Sequence, residues 1–319
     1  MPREESNPAP PSAAPPPGLP PVEPPSGRFI VQLFVVPGLI VLAVVLVLMA
    51  IAYSTSQNTP DYYLNRLDSH NADIRERAQN DLAQILKRSE SGSLRWKADA
   101  HFALELAERL RKALDELAEA EKEVADGITK SEAEAKAKGI TLPQAELDVS
   151  WRKIAKLRNH VSFLASALGD LHVPVGVPLL AEMCLADKSP DVNGHTLQRR
   201  KAFWSLSNLG ENTKKFADLP SDKQAEALDT LKAEADGAMP RAGWARTALH
   251  YLGSEPASKE GVVHVDKVLA DCAKADDRDV REKVAFALNF WDGPLVEPTL
   301  VKLQQDNGHG TMLRVKEPD

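Results

Sequence analysis

The sequence predicts an all-α protein made of a disordered Pro-rich tail, one transmembrane helix, and an α-solenoid of helix pairs with an inserted long helical hairpin. Three observations predict this architecture. Proline is concentrated at the N-terminus, with 11 of the 23 prolines in residues 1–28. Residues 29–53 contain no charged side chain. From there to residue 319 the apolar residues recur with a helical period nearly everywhere, without the long alternating stretches of a sheet.

The charge balance and the cysteine count exclude several classes of protein. The chain carries 39 Lys and Arg against 46 Asp and Glu, a formal charge of −7, and residues 54–319 hold 37 of the basic and 43 of the acidic side chains. A nucleic-acid partner is not expected, because binding phosphates requires a concentrated basic surface. The two cysteines, Cys184 and Cys272, are too few for a disulfide framework or a four-thiolate zinc site. They are interpreted as small buried hydrophobes.

Residues 1–28 form the N-terminal tail. They have few large apolar side chains, and their prolines prevent regular helix or sheet hydrogen bonding. The segment is predicted to be disordered with local polyproline character. It is either a flexible spacer, which is the commoner role, or a ligand for an aromatic groove in a partner domain.

Residues 29–53 are predicted to span a membrane. As a helix they would extend about 37 Å at about 1.5 Å per residue, against a hydrocarbon core of about 30 Å. The competing interpretation is a cleaved signal peptide, because Ala50, Ile51 and Ala52 resemble a cleavage site. The apolar run is longer than the roughly 7–15 residues of a secretory core, which favours an uncleaved anchor.

The basic residues next to this span predict its orientation in the cell's inner membrane. Arg28 adjoins the span on its N-terminal side, whereas the first basic residue after it is Arg66. The asymmetry favours a cytoplasmic N-terminus and an extracytoplasmic C-terminal body.

A recurring pattern of a small residue followed by leucine predicts helical repeats in the body. The pattern includes Leu168, Leu206, Leu249 and Leu288, which are 38, 43 and 39 residues apart. This spacing is the length of a two-helix unit. Gly169 and the following turn would end one helix, and Pro178 would lie in the first turn of the next.

Polar residues that begin a helix accompany two copies of the pattern. Asp279 is predicted to cap a helix, with Arg281 placed to bond the neighbouring turn or an aspartate of an adjacent repeat. Asn71 to Arg75 form a similar opening close to the predicted membrane span.

At these residues the chain resembles the HEAT-repeat family, and within it the bacterial HEAT-like repeats also found in phycobilisome lyases. The resemblance is best over about 150–310 and partial over 61–110. It implies an armadillo-type α-solenoid and says little about function. The enlarged loop from Asp187 to His195 and the insertion after Leu209 depart from a uniform superhelix.

A long hairpin is predicted to interrupt the repeats. An apolar seam runs along one heavily charged helix, a break follows at residues 139–143, and a second helix could pack back on the first. The seam residues are Leu106, Leu110, Ala113, Leu117, Ala120 and Val124. An intermolecular coiled coil is the alternative, but alanine at alternate seam positions favours the intramolecular hairpin.

These features define six predicted segments. They are the tail 1–28, the transmembrane helix 29–53, a first HEAT-like repeat 54–93, the hairpin insertion 94–147, further HEAT-like repeats 148–310, and a C-terminal tail 311–319.

Motifs of known chemistry are missing from the sequence. It contains no His-Glu-x-x-His, Cys-x-x-Cys, calcium loop, phosphate loop or Gly-x-Ser-x-Gly elbow. We therefore expect no metal, no cofactor and no catalytic residue.

Tryptophan and arginine supply the candidates for partner binding, because both are frequent at interaction hot spots. Trp151, Trp204 and Trp291 fall on apolar faces and are interpreted as core. Trp244 is predicted to be an exposed anchor. The candidate binding residues are Arg200, Trp244, Arg246 and Arg281.

The predicted function is that of a single-pass membrane-anchored HEAT-repeat scaffold or adaptor. Stacked helix pairs form extended surfaces that suit protein recognition better than catalysis. One alternative is a structural membrane protein that oligomerises through the hairpin. A second, based on fold analogy alone, is a phycobilisome-lyase-like or chaperone-like activity.

Overall fold

The computed structural model describes residues 27–31, 35–56, 59–88, 91–138, 144–186 and 195–306. Every regular element in these residues is helical, which confirms the all-α class. The chain divides into two compact units, Met1–Asn58 and Thr59–Asp319. Four predicted features lie outside the described residues: most of the tail 1–28, the break at 139–143, most of the loop from Asp187 to His195, and the C-terminal tail 311–319.

The first unit contains helices α1 (Gly27–Ile30) and α2 (Val36–Ser56). The large apolar side chains of α2, from Val36 to Met49, are exposed. Residues 32–34 of the predicted span 29–53 lie outside the described residues. Within the part of the chain that is described, no helix combines the length and the apolar character needed to cross a membrane.

The second unit contains twelve α-helices among its described residues. They are α3 (Pro60–Leu67), α4 (Ala72–Lys87), α5 (Ser91–Lys97), α6 (Ala100–Lys138), α7 (Gln144–Gly169), α8 (Val177–Leu185), α9 (His195–Lys214), α10 (Ser221–Ala235), α11 (Arg241–Tyr251), α12 (Val265–Cys272), α13 (Arg278–Leu288) and α14 (Val296–Asp306). A 3-10 turn, Pro174–Gly176, precedes α8, and another, Lys215–Asp218, follows α9.

Helices α6 and α7 pack along each other as a long pair. The seam residues of α6 from Leu106 to Ala120 are buried, and so is Ile154 on α7. Near the middle of both helices, Arg158 of α7 forms an ion pair with Glu121 of α6, with 2.9 Å between Nη2 and Oε1. Because α7 is continuous from Gln144 to Gly169, the predicted boundary between residues 147 and 148 falls inside a helix.

Helices α3 and α4 pack on each other and on this long pair. The side chain of Asn71 caps α4 by accepting a hydrogen bond from the Asp73 amide at 3.0 Å. A hydrogen bond of 2.6 Å joins Gln79 of α4 to Nδ1 of His160 on α7. Burial lowers the pKa of His160 to about 4, so at neutral pH the imidazole is neutral and its Nδ1 accepts a hydrogen bond from the glutamine amide.

Helix α7 lies very close to α9 where they cross. A Cβ atom on Gly169 would lie 2.8 Å from the backbone oxygen of Ser205, so only glycine fits at the end of α7. The Asn212 side chain donates a hydrogen bond to the Gly169 carbonyl at 3.0 Å, which ties α9 to the same point. This crossing fixes the position of α9, which carries the candidate site described below.

The helices after α7 do not each pack on the helices that precede them directly in the chain. Helices α12 and α13 pack mainly on α8 and α9, whereas α10 and α11 pack mainly on each other, on α6 and on the turn before α8. In a regular solenoid each pair contacts chiefly its sequence neighbours. The helices of the second unit therefore share a common core, and α9 and α13 come to lie side by side.

The four leucines of the repeat pattern all lie in this core. Leu168, Leu206, Leu249 and Leu288 are at most 1% exposed. The cap of α13 is Asp277, whose carboxylate accepts a hydrogen bond from the Asp279 amide at 2.9 Å. The prediction that Asp279 caps this helix is wrong by two residues, since Asp279 lies inside the first turn.

Candidate protein-binding surface

Trp244 is buried, so the prediction of an exposed anchor at this position is wrong. Only 5% of its surface is exposed. Its neighbours on α11, Ala242, Gly243, Ala245 and Ala248, are small and buried. Because these small residues let the surrounding helices approach closely, the indole fills the core of the unit.

Two of the predicted arginines hold backbone carbonyl groups of their own surroundings. Arg246 donates to the carbonyl oxygens of Ala235 at 2.8 Å and Glu260 at 3.2 Å. Arg281 donates to those of Ala275 and Asp276, at 2.8 and 2.7 Å. Both side chains therefore hold interhelical turns in place. Arg281 was predicted to bond either the neighbouring turn or an aspartate of an adjacent repeat, and it bonds the neighbouring turn.

Arg200 is the predicted site residue that lies at the surface. Its side chain on α9 is about half exposed and forms an ion pair with Asp279 on α13, with 2.6 Å between Nε and Oδ2. Asp279 thus serves as the α13 partner of this arginine instead of capping its own helix. The ion pair marks the edge along which α9 and α13 adjoin.

One helical turn after Arg200, Trp204 stacks on Phe286 of α13. The ring centroids are 6.0 Å apart and the ring planes are within 6° of parallel. Trp204 is 52% exposed and Phe286 is 43% exposed, so the prediction that Trp204 belongs to the core is wrong. The pattern of α9 contained the signal, because Arg200 and Asn208 lie four residues on either side of Trp204 and share its polar face.

The aromatic surface continues along α13 to a cavity. Phe290 packs edge-on against Phe286, with centroids 5.2 Å apart. Phe290 also lines a cavity of about 440 Å³, together with Trp291, Tyr251, His250 and Lys214. We use the name aromatic ridge for Trp204, Phe286 and Phe290.

Trp291 anchors the floor beneath the ridge. Its indole N–H donates to the Leu206 carbonyl at 3.0 Å, and its ring packs edge-on against Tyr251 at 4.7 Å. A Cβ on Gly210 would lie 2.8 Å from the indole nitrogen, so this glycine of α9 makes room for Trp291. The buried tryptophan thereby holds the loop after α13 against α9, and the prediction that Trp291 belongs to the core is confirmed.

Three lysines, Lys97, Lys87 and Lys201, lie near Asp170, the residue that follows α7. Burial raises the pKa of Asp170, and the nearby ammonium groups of Lys97, Lys87 and Lys201 oppose that rise. Burial likewise lowers the pKa of Lys97; Asp170 opposes this effect and the neighbouring Lys215 adds to it. We use the name basic patch for Lys87, Lys97, Lys201 and Lys215.

The described residues include no cluster of metal-binding side chains, and their two cysteines are buried. In the described ranges, no group of three or more His, Cys, Asp or Glu side chains is placed to hold a metal ion. Cys184 and Cys272 are both buried, and the Cys272 thiol lies 3.5 Å from the Cys184 carbonyl oxygen. Burial raises the pKa of the Cys184 thiol, which keeps it protonated and a poor nucleophile at neutral pH.

Comparison of the chain with protein-family models, with curated proteins and with solved structures finds no match.

Proposed function

We propose that this protein is a single-pass membrane-anchored scaffold or adaptor whose body of HEAT-like helix pairs binds a protein partner through the aromatic ridge. The observation that carries the proposal is the parallel stack of Trp204 and Phe286, two large aromatic side chains that each leave about half of their surface in water. Such exposed apolar area on an otherwise charged surface is typical of an interaction site.

The composition of the ridge supports protein recognition. Tryptophan and arginine are the residue types most enriched at interaction hot spots, and Arg200 lies one turn from Trp204. The Asp279 carboxylate holds Arg200 in place, and the two rings hold each other. A partner would therefore lose little side-chain entropy in ordering this surface.

Two sets of observations support the HEAT-like pairs. The four repeat leucines are all buried, and Asn71 and Asp277 each cap a helix by the same contact to the residue two positions later. Four residues after each cap, Arg75 and Arg281 donate to the carbonyl six residues before themselves. The proposed solenoid is a modified one, because α12 and α13 pack mainly on α8 and α9 instead of on the preceding pair.

The membrane anchor is supported by the uncharged residues 29–53 and by the exposed apolar side chains of α2. Exposing a helix that is apolar on all sides to water is unfavourable, whereas the hydrocarbon core of a bilayer accommodates its side chains and its internally bonded backbone. In the proposed arrangement the anchor keeps the body near the inner membrane, on its extracytoplasmic side.

Co-purification from membranes tests the proposal. The full-length chain carrying an affinity tag is cross-linked in cells, extracted in mild detergent and compared with the double variant Trp204→Ser with Phe286→Ser. The matched control is Tyr62→Ser, which removes another aromatic side chain that is about half exposed. We expect one reproducible partner with the wild type and the control, and its loss with the double variant.

A partner retained equally by the double variant contradicts the proposed surface. Recovery of only the chain itself, with sedimentation showing a dimer or larger assembly at low concentration, supports the structural oligomer instead.

A further inference from the structure

The basic patch is an unusual feature on a body that is acidic overall. Residues 54–319 have an excess of acidic side chains, yet Lys87, Lys97 and Lys201 lie near Asp170, and Lys215 lies near Lys97. Lys87, Lys97 and Lys201 form no ion pair within 4 Å among the described residues, and Lys215 lies 3.5 Å from the exposed Glu211. Among the described residues, the four lysines have the two carboxylates of Asp170 and Glu211 beside them, so the patch retains a net positive charge.

The patch is built from three separate helices and the 3-10 turn after α9, and the packing around Asp170 holds it in place. Lys87 and Lys97 end α4 and α5, and Lys201 belongs to α9. The amide of His172, two residues after Asp170, donates to the Lys97 carbonyl at 2.8 Å. This bond joins the end of α5 to the turn after α7, so the position of Lys97 relative to α7 is set by the fold.

The basic patch and the aromatic ridge form one surface. Lys201 lies three residues before Trp204 on α9, so the two side chains are neighbours with about 5–6 Å between their Cβ atoms. Across α9, the patch adjoins the end of α7 while the ridge adjoins α13. A ligand that crosses α9 would therefore meet aromatic rings first and lysines next.

We propose that the partner presents an acidic linear segment to this surface, with an aromatic or branched apolar side chain on Trp204 and Phe286 and carboxylates on Lys201 and Lys97. An extended peptide advances about 3.3 Å per residue, so the first carboxylate follows the apolar side chain by about two residues. This inference rests on the proposed function and specifies the chemistry of the partner.

An acidic peptide fits the surface better than a nucleic acid. A nucleic acid presents a continuous row of phosphates, whereas Asp170 places a carboxylate among the lysines and Glu211 lies beside Lys215. The Trp204 and Phe286 rings also cover each other on one face, which leaves less ring surface for stacked bases. Separate carboxylates on a peptide can be spaced to avoid both acidic groups.

The test uses a displayed library of random twelve-residue peptides, selected on the full-length chain in detergent. Affinities of the enriched peptides are measured by fluorescence anisotropy for wild type and for the double variant Lys97→Gln with Lys201→Gln. The control is Lys153→Gln with Lys156→Gln, which changes the net charge by the same amount at two exposed positions on α7, outside the basic patch. Thermal melts verify that both variants fold.

We expect enriched peptides to carry Asp or Glu within about two to four positions of Trp, Phe or Leu. Their affinity should fall about tenfold in the Lys97 and Lys201 variant, by about threefold for Lys201→Gln alone, and by less than twofold in the control. Raising the salt concentration from 50 to 300 mM should weaken binding to the wild type more than to the variant.

The outcomes separate this inference from the proposed function. The acidic-peptide inference is overturned if the selected peptides show no enrichment in Asp or Glu, or if they bind both lysine variants with equal affinity. The proposed binding function still stands in that case if the double variant Trp204→Ser with Phe286→Ser abolishes binding. Peptides that bind this aromatic variant as well as the wild type overturn both. A thirty-nucleotide oligothymidine that binds more tightly than the best peptide, and loses affinity in the Lys97 and Lys201 variant, assigns the surface to single-stranded nucleic acid and overturns the peptide proposal.

Discussion

Arg241 joins three helices of the body, and its replacement by methionine should destabilise the protein measurably. The guanidinium group lies 3.0 Å from Glu105 and 2.9 Å from Glu108, both on α6, and 2.9 Å from Glu234 on α10. Since Arg241 itself begins α11, the α10 and α11 pair is attached to the long helix by this one side chain in addition to apolar contacts. Methionine keeps most of the aliphatic stem and removes the charge.

The expected loss follows from the exposure of each partner. The side chains of Arg241 and Glu105 are each 24% exposed and that of Glu234 is 31% exposed, so these two contacts are worth about 1 kcal/mol each. Glu108 is 63% exposed and adds little. Glu105 keeps its bond of 2.9 Å to Arg109, which limits the penalty for the carboxylate left behind. The variant should therefore lose about 2 kcal/mol of unfolding free energy.

Urea unfolding of the full-length chain in mild detergent measures this loss. The control is Arg278→Met, which removes a single exposed contact to Glu282 on the same helix and should cost less than about 0.5 kcal/mol. Burial raises the pKa of Glu105, but its bonds to Arg109 and Arg241 outweigh burial and hold that pKa below its ordinary value. The stabilisation is consequently present at neutral pH and is lost in acid, so the difference between wild type and Arg241→Met should shrink there. Equal losses for the two arginine variants would refute the argument.

Three further predictions concern the core and its ionisation. Gly210→Ala should lower the free energy of unfolding by about 1–3 kcal/mol, because the added Cβ meets Trp291. Gly127→Ala on α6, where nothing lies within 4 Å of the added Cβ, should instead raise it by up to about 1 kcal/mol. Equal urea midpoints for the two variants would contradict this prediction. Trp204→Ser should cost less than about 1 kcal/mol because the ring is half exposed, whereas Trp291→Ala should cost about 3–5 kcal/mol, and the reverse order in thermal melts would contradict the assignment of ridge and floor. Burial lowers the pKa of both His160 and His172 from about 6.5 to about 4, so the unfolded chain binds more protons between these values and stability should fall on acidification. Each histidine contributes a slope of up to about 1.4 kcal/mol per pH unit, and His172→Gln should remove one such slope; an unchanged pH profile contradicts its buried neutral state.

The local pattern of the sequence was sufficient for the helices and most of their core faces. Apolar spacing identified the four repeat leucines and the seam of α6, which are buried except for the partly buried Val124 at the end of the seam. Gly169 ends α7 as predicted. These features depend on residues within one or two turns of each other, for which the helical period is a reliable guide.

The candidate site was less accessible to such reasoning. Trp204 was predicted to be buried and is exposed, whereas Trp244 was predicted to be exposed and is buried. Each lies on a helix with both polar and apolar neighbours, so its exposure depends on which other helix covers it. Arg246 and Arg281 carry the same charge as Arg200, but their partners are carbonyl groups that only the folded turns bring within reach. The sequence signal for the exposure of Trp204 is the pair of polar residues Arg200 and Asn208, which lie four positions on either side of it.

By itself, the sequence determined that the described body is helical, where several of its helices end, and which leucines are buried, because hydrophobic period and end-forming residues act over a few positions. Only the tertiary structure decided that α13 packs beside α9, and this contact creates both the Arg200 to Asp279 ion pair and the stack of Trp204 on Phe286. The physical reason is that residues some 80 positions apart meet according to the packing of whole helices, which depends on the shapes of all the faces at once.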